Sequence, residues 1–344
     1  MDTYFSTFIT GTGEVIREAI KKKPLQKFKI ILLLDGLVIY KTAYSLRDIR
    51  SIRYFNNSFI LLKLFKKVSA APINQMLKES LKDSRMKIIV PNNIRQRVRT
   101  FKIVTSLENQ TVAADRSLLK KLEDKISKDI ELKLNITKPD LEFWFLARRE
   151  GIGLFGLRIT YKDRYLEKGE LRPELAHILC LISEPSPKDI FLDPFAGSGA
   201  IPLERAVSFP YKEVIAIDSK SSLVDELKKK IKREMPKKKI LVKQEDALNL
   251  SDIQDASIDK IVTDPPWGIY EGMKMPLSEF YSKMLKEFFR VLRPNGIAVI
   301  LMGDKLEFER SLEIVNSICM LSKYDILVSG NKTRIYKIKK HIRG

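Results

Sequence analysis

The stretch Phe191-Leu-Asp193-Pro-Phe195-Ala-Gly197-Ser-Gly199-Ala-Ile-Pro202 limits what this chain can fold into more than any other. Apolar residues run into an acid, two glycines follow one residue apart, and a helix start comes next. That is the pattern of a strand, a tight turn and a helix, and in a doubly wound sheet ligands bind beyond the carboxyl end of such a strand. Gly197 and Gly199 let the backbone approach a ligand with no Cβ in the way. A dinucleotide fold wants a third glycine at position 202 for helix–strand packing. Here that position is Pro202, and Asp193 precedes the glycines.

The rest of the back half repeats the same alternation. From about residue 161, a helix at Leu171–Ser183 and the breaker Glu184-Pro185-Ser186-Pro187 precede strands at Ile190–Leu192, Val214–Ile217, Lys239–Lys243, Lys260–Val262, Ile297–Leu301 and near Arg334–Lys337. Strands separated by helical stretches predict a doubly wound, mainly parallel sheet. A carboxylate facing the glycine turn repels a pyrophosphate but suits the positively charged amino-acid end of S-adenosylmethionine. With no Walker lysine present, the turn argues against both NAD and ATP.

Two further acids follow at strand ends. Asp218 closes Val214–Ile217 about twenty residues beyond the turn, where an acid can take both ribose hydroxyls of an adenosyl ligand; it can equally cap the helix that starts near Ser221. Asp246, after the next strand, can accept from an adenine amino group, with Glu245 competing for the role. Next comes Thr263-Asp264-Pro265-Pro266-Trp267-Gly268, directly after the strand Lys260–Val262. Two prolines stiffen the turn, so the Asp264 carboxylate and the Pro265 carbonyl project at set positions. An exocyclic base amine is a poor nucleophile, its lone pair being delocalised into the ring. Two acceptors gripping its hydrogens favour a pyramidal nitrogen aimed at a methyl donor, which is catalysis by positioning and electrostatics. Trp267 offers a flat face to a base taken out of its stack; the other reading is a core tryptophan.

The front half reads as two α+β modules. In residues 1–65, strands at Tyr4–Ile9, Phe28–Leu34, Leu37–Tyr40 and Ser58–Phe65 accompany helices at Glu14–Lys22 and Leu46–Ile49, with a hairpin turn at Asp35-Gly36. In residues 66–160, helices at Pro72–Lys82 and Asp115–Ile130 accompany strands at Phe101–Thr105, Leu141–Arg148 and Leu154–Ile159. The chain carries a formal net charge of +20, and residues 1–150 hold 30 of its 63 Lys and Arg but only 16 of its 43 Asp and Glu. Such a field suits a polyanion, since each phosphate contact releases counterions. Arg95, Arg97 and Arg99 alternate, which on an extended segment puts all three on one face; a solvated face is the other reading. The Lys228–Lys239 cluster is expected to face solvent, and His177 and Cys180, one turn apart, to be ordinary helix positions.

Two cysteines and two histidines suit neither a zinc site nor a disulfide framework. No apolar run approaches membrane-spanning length, and no secretory signal is expected. The expectation is a cytoplasmic monomer without metal.

The motifs, in this order, resemble those of the Rossmann-fold methyltransferases that modify base amino nitrogens. In the front half, Phe101–Thr105, the helix at 115–130, Lys138–Phe145 and Gly153–Gly156 look like a THUMP domain with a preceding ferredoxin-like module, and Leu171–Ala176 looks like the helix that leads those enzymes' catalytic domain. The resemblance implies an α/β chain of three parts: a ferredoxin-like module at 1–65, a THUMP-type RNA-binding domain at 66–160, and a Rossmann-fold methyltransferase domain at 161–344. It implies that the THUMP part grips the acceptor end of tRNA while the catalytic part makes N2-methylguanosine. Asp264, Pro265 and Trp267 would then handle the base, and Asp193, Phe195, Gly197, Gly199, Asp218 and Asp246 would hold S-adenosylmethionine. One departure stands out: guanine-N2 members usually close the proline turn with Tyr or Phe, whereas Trp is at home in adenine-N6 enzymes. An adenine-N6 methyltransferase of DNA or rRNA, and an RNA-binding protein that keeps the fold only as a scaffold, are the rival readings.

Overall fold

The computed structural model describes residues 2–22, 28–68, 71–83, 90–108, 110–160, 170–267, 275–303, 305–313, 318–328 and 330–341. In chain order the front elements are β1 (Asp2–Thr7), α1 (Gly13–Lys21), β2 (Phe28–Leu34), β3 (Leu37–Thr42), α2 (Leu46–Arg50), β4 (Asn57–Lys66), α3 (Pro72–Lys82), α4 (Asn92–Arg95), β5 (Thr100–Leu107), β6 (Gln110–Thr111), α5 (Arg116–Ile130), β7 (Lys133–Leu134), β8 (Leu141–Ala147) and β9 (Ile152–Arg158). There follow α6 (Pro173–Ile182), β10 (Ile190–Asp193), α7 (Ala200–Ser208), β11 (Glu213–Asp218), α8 (Ser221–Glu234), β12 (Ile240–Gln244), β13 (Ile258–Thr263), α9 (Leu277–Val291), β14 (Leu292–Met302), α10 (Lys305–Glu313), β15 (Ile318–Val328) and β16 (Asn331–Lys340). They form two compact units, residues 1–7 with 23–163 and residues 8–22 with 164–344.

In the first unit the strands make one sheet in the order β2-β3-β1-β4-β9-β8-β5-β6, with β7 alongside β5. The two front modules expected from the sequence thus share this sheet, through the antiparallel pair β4–β9. The hairpin β2–β3 turns at Asp35–Gly36, where Gly36 has φ 79°. Ser45 caps α2 in a capping box with Asp48, and Asp115 caps α5 by accepting from Leu118 N at 2.9 Å; each satisfies a helix-start N–H that the helix cannot. α5 buries Leu122 and Ile126, one helical turn apart, against Phe101, Phe143, Phe145 and Phe155 of the sheet, with Met76 and Leu77 of α3 beside them. The alternation expected of Arg95, Arg97 and Arg99 does not hold. Arg95 ends α4, and the N–H groups of Arg97 and Val98 turn back onto Ile94 O and Arg95 O at 3.0 and 3.4 Å. All three arginines are exposed around a buried Val98.

The second unit has a seven-stranded sheet in the order β12-β11-β10-β13-β14-β16-β15. β12 to β14 are parallel neighbours, and β16 enters antiparallel to both β14 and β15. An all-parallel dinucleotide sheet has no such antiparallel insertion at its end. The strand order reverses between β10 and β13, the switch point at which ligand crevices open. Both faces of the sheet are covered. On one, Phe280, Met284, Leu285 and Phe288 of α9 recur at helical spacing and pack on Leu192, Ile215, Ile261, Ala298 and Ile300. On the other, Leu203 of α7 and Leu227 of α8 pack on Ala216.

The sequence predicts one strand near Arg334–Lys337, whereas the structure has the long hairpin β15–β16. β15 is an edge strand, and its register shifts between Met320 and Ser322, breaking the period-2 pattern that marks a strand. Arg334 of β16 pairs with Asp325 of β15 within the hairpin and with Glu309 of α10, each at 2.8 Å, and the second pair fastens the hairpin to that helix. The expected boundary at 161 lies outside the described residues.

Candidate active site

β10 delivers Asp193 to its carboxyl end, where the residue is 1% exposed. Its Oδ1 accepts from Thr263 Oγ1 at 2.7 Å, across the neighbouring strand end of β13, and from Phe195 N at 3.2 Å. Its Oδ2 is buried with no hydrogen-bond partner among the described residues. Burial pushes the carboxyl up to about 7; the two hydrogen bonds work against that, and the charges of Asp264 and Asp218 add to it. An orphaned acceptor beside two other acids calls for a positively charged or hydrogen-donating ligand.

The glycine turn is sewn to the end of β11. Ala196 N donates to Ile217 O at 2.8 Å, and Gly197 N donates to Asp218 Oδ2 at 2.9 Å. The other oxygen of Asp218 accepts from Lys220 N at 2.9 Å, so the carboxylate braces the turn and the entry to α8 together. It does not cap α8 by a side-chain bond; Lys220 stands at that position. Gly197 and Gly199 have φ 51° and 85°, the left-handed region that favours glycine. A Cβ on Gly199 would collide with Leu227 and press on Leu203 at 3.3 Å, whereas one on Gly197 meets nothing within 4 Å. Gly199 is therefore a packing requirement, and Gly197 borders open space. Phe195 is half-buried and packs its ring against the core, 5.9 Å from Phe280 and 6.5 Å from Phe288.

After β12 the two competing acids separate. Glu245 Oε1 accepts from Asp252 N at 2.8 Å and Ser251 Oγ at 3.3 Å, so that side chain ties down the following loop. Asp246 is exposed, its Oδ1 accepting from Leu248 N at 2.9 Å. Of the two, Asp246 is the exposed one, while Glu245 keeps its Oε2 buried with no hydrogen-bond partner among the described residues.

β13 ends at the fully buried Thr263 and passes directly into the proline turn. Asp264 is partly buried, Pro265 buried, Pro266 exposed and Trp267 partly buried; Gly268 lies outside the described residues. The indole N–H of Trp267 donates to Asp264 Oδ1 at 2.8 Å. Burial pushes this carboxyl, too, up to about 7, with the indole bond working against it. The ring lies over Gly303, just past β14, where a Cβ would come within 2.7 Å of Trp267 Cδ2.

Asp193, Asp218, Asp246 and Asp264 thus stand at the carboxyl ends of four parallel strands, around the switch point. Among the described residues no set of three His, Cys, Asp or Glu is placed to hold a metal ion. Two contributors have no role assigned from sequence. Thr263 precedes the proline turn, and strand alternation turns it away from Asp264 and toward β10. Gly303 follows an apolar strand, a position where a glycine marks close approach by another group. His177, expected to be an ordinary helix position, has Nδ1 2.7 Å from Glu204 Oε1 in a buried pair between α6 and α7, and Cys180 is buried one turn on. The exposed side chains of Lys228, Lys229, Lys232 and Lys237–Lys239 face solvent, as expected.

The fold and the site define a class: the second unit has a Rossmann-like methyltransferase fold. Residues 161–325 match the family model of the RMKL-like methyltransferase domain. Across 154 residues the chain is 35% identical to a mouse tRNA (guanine(6)-N(2))-methyltransferase THUMP3, covering 41% of this chain and 30% of that protein. It is 32% identical over 150 residues to a tRNA (guanine(6)-N2)-methyltransferase of Thermus thermophilus, covering 42% of this chain and 43% of the relative. The chain spans about a third of the length of the mammalian relatives it matches. In three dimensions it is similar to the crystal structure of TrmN from Thermus thermophilus, with a TM-score of 0.78 at 17% identity over 99% of this chain and 100% of the other.

Proposed function

We propose that this chain is an S-adenosylmethionine-dependent RNA methyltransferase acting on an exocyclic base amine, and that its substrate is guanine N2 in tRNA. The observation that carries the proposal is the pair of raised carboxyls, Asp193 and Asp264, at adjacent parallel strand ends, the second of them in an Asp-Pro-Pro turn. The names of the relatives, tRNA guanine-N2 methyltransferases, support the choice of base and of RNA. In this reading residues 1–65 are a ferredoxin-like module, 66–160 a THUMP-type RNA-binding domain and 161–344 the catalytic domain, and structured RNA is the partner.

S-adenosylmethionine, when bound, supplies a methyl group on a positively charged sulfur. The orphaned Oδ2 of Asp193 suits its cationic amino-acid end, and Asp218 keeps lone pairs for ribose hydroxyls beyond the two N–H bonds it already accepts. Asp246 would accept from the adenine amino group, and the open space at Gly197 would admit the ligand against the backbone. On the substrate side, Asp264 and the Pro265 carbonyl accept the two hydrogens of the base amine. They draw the nitrogen lone pair out of conjugation and toward the methyl carbon. With the cofactor held there, transfer would form the N–C bond as the S–C bond breaks, and the amine proton released would pass to Asp264. A carboxylate with its pKa near 7 is matched to receive that proton at neutral pH.

The test is transfer of labelled methyl groups from S-adenosylmethionine to total tRNA lacking this modification, followed by nucleoside analysis. A gain in N2-methylguanosine is the expected result. A gain in N6-methyladenosine keeps the mechanism and overturns the base. Activity confined to rRNA or DNA overturns the substrate class. A protein that takes up no cofactor is a scaffold and not an enzyme.

A further inference from the structure

The tryptophan that sets this proline turn apart has a geometry that a flat stacking platform does not require. Its indole N–H sits 2.8 Å from Asp264 Oδ1, and its ring rests where only a glycine leaves room, since a Cβ on Gly303 would lie within 2.7 to 2.8 Å of ring atoms Cδ2, Cε3 and Cγ. A carboxylate at a strand end is free to rotate, because its terminal torsion is broad. One donor with a set direction selects one orientation. Indole nitrogen donates and never accepts, so it cannot compete for the hydrogens of a substrate amine.

We propose that Trp267 is a positioning residue: its indole N–H holds Oδ1 of Asp264 so that the other carboxylate oxygen is the one offered to the base amine, and Gly303 is the residue that lets the ring lie there. This inference rests on the reading of Asp264 as the acceptor of that amine. A Tyr or Phe at position 267 would supply a stacking face but no indole donor. The departure from the usual guanine-N2 pattern is then a device for aiming the carboxylate and says nothing about which base is modified.

The contact has an electrostatic side. A donor to the ionised carboxylate favours that form, against the burial that raises Asp264. Among the described residues Asp193 on β10 is a charged group that interacts with Asp264, and Asp218 on β11 acts in turn on Asp193. Gly303, the residue past β14 that faces the ring, is uncharged. Removing the indole donor leaves burial unopposed.

Trp267→Phe keeps a flat ring and removes the N–H. It is expected to lower kcat roughly tenfold, as for removal of a hydrogen bond to a charged group, with KM changed by less than about threefold. The acid limb of the pH–rate profile is expected to move up by roughly one pH unit. Gly303→Ala, which pushes the indole aside, should reproduce the drop in kcat. A Trp267→Phe enzyme whose KM rises while kcat and the acid limb stay put overturns the inference, because the ring then only stacks. An independent readout needs no substrate. The chain has two tryptophans, Trp144 and Trp267, so nitrogen-15 labelling gives two indole signals, and Trp267→Phe assigns them. The Trp267 indole signal should titrate near neutral pH and cease to titrate in Asp264→Asn. A signal indifferent to Asp264→Asn overturns the inference, and this result stands by itself even where the RNA assays reject the functional reading.

Discussion

Asp193 and Asp264 are both pushed up to about 7 from the ordinary carboxylate value of 3.8, so the folded chain holds their protons more tightly than the unfolded chain does. The linkage sign follows: where the native state binds more protons, stability falls as pH rises. Their contribution is therefore full below the ordinary carboxylate range and is lost progressively up to about pH 7. Thermal unfolding of the ligand-free protein between pH 5 and 8 should show a Tm component that declines with pH and flattens in Asp193→Asn. A bound cation offsets the penalty of burying the ionised Asp193 carboxylate, so S-adenosylmethionine should raise Tm more at pH 8 than at pH 5. If Asp193→Asn leaves the pH slope unchanged, Asp193 is not the buried titrating group.

At the scale of elements, the β10–α7 turn assigns its two glycines different work. Both have positive φ, a conformation that costs other residues about 1 to 2 kcal/mol. Only Gly199 also faces a steric neighbour, Leu227 of α8. Gly199→Ala should lower Tm by several degrees more than Gly197→Ala does. Gly197→Ala should fold and bind the cofactor more weakly, because its methyl group would project into the space open beside it. Calorimetric titration with S-adenosylmethionine separates the two: full affinity in a folded Gly197→Ala protein would show that the turn does not touch the ligand. The twin glycines were legible in the sequence, but their division of labour was not. It depends on where Leu227 lands, a residue 28 positions away that helix α8 returns to the turn.

For the molecule as a whole, the charge asymmetry is the feature that reaches beyond the catalytic unit. With a net +20 and exposed arginines at 95, 97 and 99, the RNA affinity proposed for this chain should fall steeply as salt rises. Replacing the three arginines with glutamate should weaken tRNA binding. It should also reduce the slope of log affinity against log salt by about one for each phosphate that is no longer neutralised. Cofactor affinity should stay unchanged. A slope identical to wild type would mean that these side chains are merely solvated.

The sequence by itself determined what local chemistry controls. Apolar runs ending in acids, two glycines one residue apart, and a double proline are each readable without a fold, and they marked β10, β11, β13 and the four aspartates at the sheet's edge. Tertiary structure decided everything that depends on a partner distant in sequence. Glu245 and Asp246 are neighbours with the same chemistry, and only the loop at Ser251–Asp252 determines which is tied down. Phe195 reads as part of a ligand turn, and packing against Phe280 and Phe288 sets its half-buried ring beside the core. Helix α1 precedes β2 in the chain but belongs to the same unit as the methyltransferase sheet. The bond from Trp267 to Asp264 lies within four residues of sequence, yet it needs the gap that Gly303 leaves at the end of another strand. The physical reason is the same in each case: a residue's type sets what bonds it can make, and the folded chain decides which partner comes within reach.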